Sequence, residues 1–201
     1  MIIGITGGIA SGKSTVTKIF VDLGAHLIDW DVLGHEVMEP QKEAWKGIVE
    51  YFGREVLNED QSINREVLGR LVFNEPEKLE KLNQIVHPEI FKEDERLVKK
   101  ITGEYPNDVI VKEIPLLSPE HKKKFIDKVI VVYASEENQV KRLAERGFSE
   151  EEAKKRIHAQ VSIEEKIKIA DFVIYNDGSI EDTTKQAREV YNRIVSEIDY
   201  V

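Results

Sequence analysis

One octapeptide limits this chain more than any other feature. Gly7-Gly8-Ile9-Ala10-Ser11-Gly12-Lys13-Ser14 matches G-x-x-x-x-G-K-[ST] at every defined position. It stands between an apolar β-branched run, Ile2–Thr6, and a stretch of helical spacing, Lys13–Leu23. Strand, loop and helix in that order are the context in which the motif carries chemistry. Glycines let the backbone curl until successive N–H groups face a phosphate. The following helix N-terminus adds its positive dipole end. Lys13 is expected to reach the β- and γ-phosphates as a point charge, and the Ser14 hydroxyl to ligate Mg²⁺. Gly8, Ile9, Ala10, Ser11, Gly12, Lys13, Ser14 and Thr15 are therefore expected to bind a nucleoside triphosphate. The competing reading is a glycine-rich turn with no ligand.

The rest of the chain fits a fold built around such a loop. Four further β-branched runs follow: His26–Asp29, Val109–Glu113, Val129–Tyr133 and Phe172–Tyr175. All are apolar almost throughout, as strands are when helices cover both faces of a parallel sheet. Helical segments alternate with them. Gly24 is placed to end the first helix. Ser149-Glu-Glu-Glu152 has capping-box spacing, Ser162-Ile-Glu-Glu165 repeats it, and Thr183–Ile198 reads as a C-terminal helix. The expected fold class is α/β, a three-layer α/β/α P-loop NTPase fold with a parallel five-stranded sheet. Between about 31 and 105 no strand is expected. Glu43–Phe52, Asn64–Phe73, Pro76–Val86 and Pro88–Ile101 have helical spacing there. This segment reads as a helical, substrate-side insertion in a single P-loop domain whose core is about 1–30 and 106–201, with a helical lid at about 142–165.

Composition excludes several classes. Hydrophobic residues make up 41% of the 201-residue chain, too many for a disordered one. No run approaches the roughly 20 apolar residues of a membrane span. The N-terminal run has no basic region and is broken by glycines, so no signal peptide is expected. A cytoplasmic address with no membrane partner follows as the expectation. The net charge of -9 argues against general nucleic-acid binding, which needs Lys and Arg against phosphates. With no cysteine, disulfides, thiolate nucleophiles and Cys-based zinc sites fall away together. The five histidines lack metal-ligand spacing. Lys122-Lys123-Lys124 reads as a solvated face.

The motif alone does not separate kinases from GTPases and motor ATPases. N-K-x-D, the guanine signature, is absent, and Asp31-Val-Leu-Gly34 comes too soon after the loop to be a switch motif. Val109–Glu113 ends in one acid rather than a pair. Ligands of open parallel sheets sit beyond the carboxyl ends of the strands, and two runs deliver acids there. His26-Leu-Ile-Asp29-Trp-Asp31 ends in D-x-D, with Asp29 and Asp31 on one side if the strand continues. Glu113 ends the other. Such acids orient a substrate hydroxyl or hold Mg²⁺ through water; alternatively they cap the next helix.

Here the chain resembles the dephospho-coenzyme A kinase family. The resemblance rests on Thr6–Thr15, on the Leu-Gly-Ala-x-x-Ile-Asp-x-Asp run Leu23–Asp31, on Ile114-Pro115-Leu116-Leu117 and on Ala170–Gly178. Tyr51-Phe52-Gly53, Arg65, Phe73 and His87-Pro88 also match, so it spans residues 2 to about 180. It implies phosphorylation of the ribose 3′-hydroxyl of dephospho-CoA by ATP with Mg²⁺, a P-loop core, a helical CoA-side domain and a lid. Trp30 replaces a small residue of the family pattern, His35 replaces an arginine, and Ser118-Pro119 follow the IPLL run in place of an apolar residue and Glu.

Asp31 is then expected to orient the acceptor hydroxyl and take its proton, beside Lys13 and Arg146 as catalytic groups. Asp29, His87 and Glu113 are expected at the acceptor. Arg142 and Arg146, four residues apart, are expected on one helix face, with Gly147 ending that helix. Arg156 and Gln160 follow on the next. Arg142 is expected at ATP, although surface salt bridging explains any of these arginines equally well. His87 before Pro88 is read between two helices, otherwise as a turn residue. Asn176 and Gly178 form an expected adenine pocket, or else a left-handed turn. The expected partners are ATP and dephospho-CoA, with a monomer or weak homo-oligomer. Two rivals stay open: a kinase of nucleosides or nucleoside monophosphates, and a regulatory P-loop NTPase.

Overall fold

The computed structural model describes residues 1–73, 75–114 and 125–198. Pro115-Leu116-Leu117, Ser118-Pro119 and Lys122-Lys123-Lys124 lie outside them. The chain divides into two compact units, Met1–Ile28 with Ile101–Val201, and Asp29–Lys100.

The first unit holds the sheet. Its strands are β1 (Ile2–Gly7), β2 (His26–Asp29), β3 (Ile110–Glu113), β4 (Lys128–Tyr133) and β5 (Phe172–Tyr175), in the order β2-β3-β1-β4-β5. β1 is central and pairs in parallel with both neighbours, Ile2 opposite Ile110 and Ile3 opposite Lys128. All five lie in one parallel sheet, the middle layer of an α/β/α fold. Helix α1 (Lys13–Asp22) and the last helix, Ile180–Ile198, pack together. Val16, Phe20, Ala187 and Ile194 close over Ile3, Ile5, Val111, Ile130, Val132 and Ile174, each at most 1% exposed. That is why the strands read as unbroken apolar runs.

In the second unit α2 (Trp30–Glu36), α3 (Glu43–Phe52), α4 (Arg65–Phe73) and α5 (Pro76–Glu104) follow one another. Two expectations fail here. The D-x-D run does not continue as a strand: β2 stops at Asp29 and α2 begins at Trp30. The reason is Asp29 itself, whose Oδ1 accepts the backbone N–H groups of Asp31 and Val32, at 2.8 and 3.3 Å, as the N-cap. Nor is there a break at His87-Pro88. A single helix of 29 residues runs through Pro88, so His87 is an exposed helical residue. Proline removes one intrahelical donor, and the helix absorbs that loss because Val86, Ile90 and Asp94 stay buried along one side.

The first unit continues with α6 (Glu136–Ala144), α7 (Glu150–His158), α8 (Ile163–Lys168) and α9 (Ile180–Ile198). α6 and α7 pack against each other, and α8 packs on β1 and β4. Ser149 and Glu152 form the complete capping box at the start of α7. Gly147, with φ +91°, makes the turn between α6 and α7. Arg146 lies two residues beyond the end of α6, so it does not share a helix face with Arg142. Its backbone N–H bonds Leu143 in the closing turn. Among the described residues, no helix is long and apolar enough to cross a membrane.

Candidate active site

The loop after β1 wraps tightly because two of its residues adopt left-handed conformations. Gly12, at φ +95°, is the N-cap of α1, and Ala10 has φ +56°. Gly7 is fixed by space. A Cβ there would stand 2.5 Å from the Val132 carbonyl and 2.6 Å from Ser11 Oγ. The Ser11 hydroxyl is buried and has no hydrogen-bond partner among the described residues.

Side chains from the C-terminal half hold this loop. Arg142 on α6 donates to the carbonyls of Ala10 (3.1 Å), Ser11 (3.2 Å) and Asn176 (2.6 Å). Asn176, just after β5 and 7% exposed, donates from Nδ2 to the Ser11 carbonyl at 2.8 Å and accepts the Thr183 hydroxyl at 2.8 Å. The peptide unit is planar and trans. Fixing the Ser11 carbonyl outward therefore fixes the Gly12 N–H in the opposite direction, before any ligand arrives. Asp177 links the same turn to α6, accepting from Ser135 N, Ser135 Oγ and Asn138 Nδ2. Burial alone would raise its pKa, but those hydrogen bonds and the Arg142 charge hold it below the ordinary carboxylate range. Gly178 is not left-handed.

Lys13 Nζ donates to the Gly8 carbonyl at 3.1 Å and lies 3.4 Å from that of Gly7. Ser14 Oγ donates to Glu113 Oε1 at 3.2 Å, joining the helix start to the carboxyl end of β3. Ile9 N–H donates to Gln160 Oε1, 2.9 Å away, in the segment between α7 and α8. Ile9 and Ala10 pack with Val140, Leu143, Phe148, Ala153 and Ile157, so the α6–α7 hairpin rests on the loop. Arg156 stacks on Phe148, 4.4 Å from the ring centre. Arg146 is exposed, and among the described residues its guanidinium enters no ion pair.

In the second unit, Asp29 is spent as a helix cap. The exposed carboxylate of Asp31, in the first turn of α2, makes no hydrogen bond or ion pair among the described residues. Trp30 Nε1 donates to Asp94 Oδ1 at 2.9 Å, and its ring meets Phe91 edge-on at 5.3 Å. Asp94 is 2% exposed. The unusual Trp30 thus ties α2 to α5. Trp30→Phe keeps the ring and loses the donor, and is expected to cost about 1–3 kcal/mol in urea unfolding. His35 Nε2 accepts from the Arg65 guanidinium at 2.6 Å. His87 packs its ring edge-on against Phe91 at 6.4 Å.

Sequence reasoning placed Lys13, Ser14, Glu113, Arg142 and Asn176, and the structure brings them together. It gave no role to Lys166. That residue sits on α8 and donates to the Gly7 carbonyl at 2.9 Å. The signal was an apolar-side lysine in a six-residue helix, which periodicity alone does not separate from surface lysines.

The family model for CoaE, dephospho-CoA kinase, matches residues 1–182. A dephospho-CoA kinase of Carboxydothermus hydrogenoformans is 47% identical over 186 residues, 92% of this chain and 90% of that one. A crystal structure from Thermus thermophilus superposes with a TM-score of 0.79 at 34% identity, covering 96% of this chain and 97% of that one. The dephospho-CoA kinase of Campylobacter jejuni superposes with a TM-score of 0.67 at 31% identity, covering 96% of each. With the family model matching residues 1–182 and a relative 47% identical over 92% of its length, this chain belongs to the dephospho-CoA kinase family.

Proposed function

We propose that the chain transfers the terminal phosphoryl group of ATP to the ribose 3′-hydroxyl of dephospho-CoA, giving CoA. The observation that carries this is the complete phosphate loop, held by Arg142 and Asn176, in a chain whose length the family covers. Each residue then has a task. The loop amides and Lys13 hold the triphosphate. Arg142 and Asn176 keep those amides aimed at it, so little reorganisation accompanies binding. The α6–α7 hairpin acts as lid, and Arg146 beside it is the free guanidinium available to the transferring group. The unit Asp29–Lys100 carries the acceptor side. Asp31, not Asp29, orients the acceptor hydroxyl and takes its proton, because the Asp29 carboxylate is committed to the α2 N-terminus.

The residues present fit Mg²⁺. Ser14 Oγ and Glu113 Oε1, 3.2 Å apart, are the hard oxygen donors such an ion takes directly or through water. When bound, the ion neutralises charge on the phosphate oxygens. Transfer needs no phosphoenzyme.

The test is a phosphotransfer assay with Mg-ATP on dephospho-CoA beside nucleosides and nucleoside monophosphates. Dephospho-CoA should be converted to CoA with the new phosphate on the 3′-oxygen. Turnover of AMP or a nucleoside, with dephospho-CoA inert, would replace this reading by another small-molecule kinase. Arg146→Ala should lower kcat by about 10²-fold while leaving the Kd for ATP nearly unchanged, since its charge is needed where charge develops. Equal losses in both would make Arg146 a ground-state contact.

A further inference from the structure

Two lysines meet at one carbonyl behind the phosphate loop. Lys166 is 7% exposed, and its Nζ donates to the Gly7 carbonyl at 2.9 Å. Lys13 Nζ lies 3.4 Å from the same oxygen. No carboxylate among the described residues pairs with Lys166. On its own helix, Glu165 is engaged with Lys168, and Glu164 is exposed. Burial, and after it the charge of Lys13, lower the Lys166 pKa to about 8. It remains largely a cation at neutral pH, in a place that disfavours cations.

A buried ammonium without a counter-ion weakens the fold that contains it. Desolvated charges with perturbed pKa values cluster at functional sites. The loop backbone explains what this ammonium does meanwhile. Gly7 is buried against Val132 and Ser11, with no room even for a methyl group. If Lys13 leaves for a nucleotide phosphate, the Gly7 carbonyl needs another donor, and Lys166 is already there.

We infer that Lys166 is a second positioning lysine of the phosphate site. It holds the Gly7 carbonyl so that Lys13 is released to the nucleotide, and its charge is compensated only by the bound phosphates. This rests on the nucleotide-binding reading above. Lys166 acts through Gly7 and Lys13, so it is not itself a catalytic residue. Its positive charge raises the energy of the ligand-free protein and lowers that of the complex. The equilibrium moves toward binding by that difference.

The consequence has opposite signs in the two states, which separates it from a plain structural role. Thermal unfolding and calorimetric ATP binding should be measured on the wild type, Lys166→Gln and Lys166→Met. Gln keeps an N–H donor and loses the charge; Met keeps length and loses both. Both variants should unfold at a higher temperature than the wild type when no nucleotide is present. Both should bind Mg-ATP more weakly, by about tenfold, the size expected for the loss of one partly screened charge. Their ATP-induced rise in Tm should shrink accordingly. An unchanged ATP Kd in Lys166→Gln overturns the proposal, whatever happens to stability. So does a lower ligand-free Tm in Lys166→Gln, which would make the lysine a fastener of the loop. If Lys166→Met does not fold, Lys166→Gln decides alone. A wild type whose Tm does not respond to Mg-ATP removes the nucleotide reading and this proposal together. A responsive wild type matched by an equally responsive Lys166→Gln removes only the lysine's role.

Discussion

Gly12→Ala is expected to abolish measurable ATP binding and turnover, and to lower stability by about 2–4 kcal/mol. Two costs add at this position. The residue sits at φ +95°, where an L side chain strains the backbone. The new Cβ would also lie 1.9 Å from Asn176 Nδ2. Asn176 has nowhere to go: its amide donates to Ser11, its oxygen accepts from Thr183, and it is buried. Either the loop moves or Asn176 gives up both bonds. Each outcome displaces the amides that face the phosphates, and displacements of about 1 Å cost roughly 10²-fold in such sites. Calorimetry with Mg-ATP and urea unfolding check both halves. An ordinary ATP Kd in Gly12→Ala would show that the loop tolerates a second conformation. Gly69→Ala, at a position where a Cβ meets nothing within 4 Å, is the matched control.

Asp31→Asn should lower kcat by about 10²–10⁴-fold, the usual range for a general base, with little change in ATP affinity. Asparagine keeps the size of the side chain and loses its charge and basicity. The transition state of phosphoryl transfer is loose, so part of the effect is orientation of the hydroxyl rather than early proton removal. Asp29→Asn is the contrasting variant. Asparagine is as good an N-cap as aspartate, so α2 should survive and turnover should change far less. If Asp29→Asn abolished turnover and Asp31→Asn did not, the roles of the two carboxylates would be exchanged. If neither changed it, the end of β2 would contribute nothing beyond a helix start.

The phosphate loop was legible because its determinants are local. Glycine spacing, a preceding apolar run and a following helix all lie within about 23 residues. Strand positions were legible for a related reason, since burial on both faces leaves an unbroken apolar signature. What failed were boundaries decided by a single competing hydrogen bond or by tertiary support. Alternation across Asp29 and Asp31 presumed that the strand ran on, but the Asp29 side chain accepts two backbone N–H groups and turns the chain into α2. Pro88 looked like a stop, yet burial along α5 outweighs one lost donor. Arg142 and Arg146 shared a face only while α6 was assumed to reach both. In the structure one grips the loop and the other is exposed past the helix end. The clamp itself was out of reach of any local pattern. Arg142 is 132 residues from Ala10, Asn176 is 165 from Ser11, and Lys166 is 159 from Gly7.

Those separations bear on how the protein is made. β1 is made before the strands it pairs with but is the middle strand, and its neighbours begin with Ile110 and Lys128. Residues Asp29–Lys100 form one contiguous unit that contains none of the strands β1 pairs with. β1 must wait for about a hundred further residues before it has a partner on either side. Its loop waits longer still, until Asn176 has been synthesised. A ligand that binds only the finished fold stabilises nothing before then. Between the synthesis of β1 and that of β3 the nascent chain therefore carries an apolar strand without its neighbours, and nucleotide can lock the core only after Asn176 has been made.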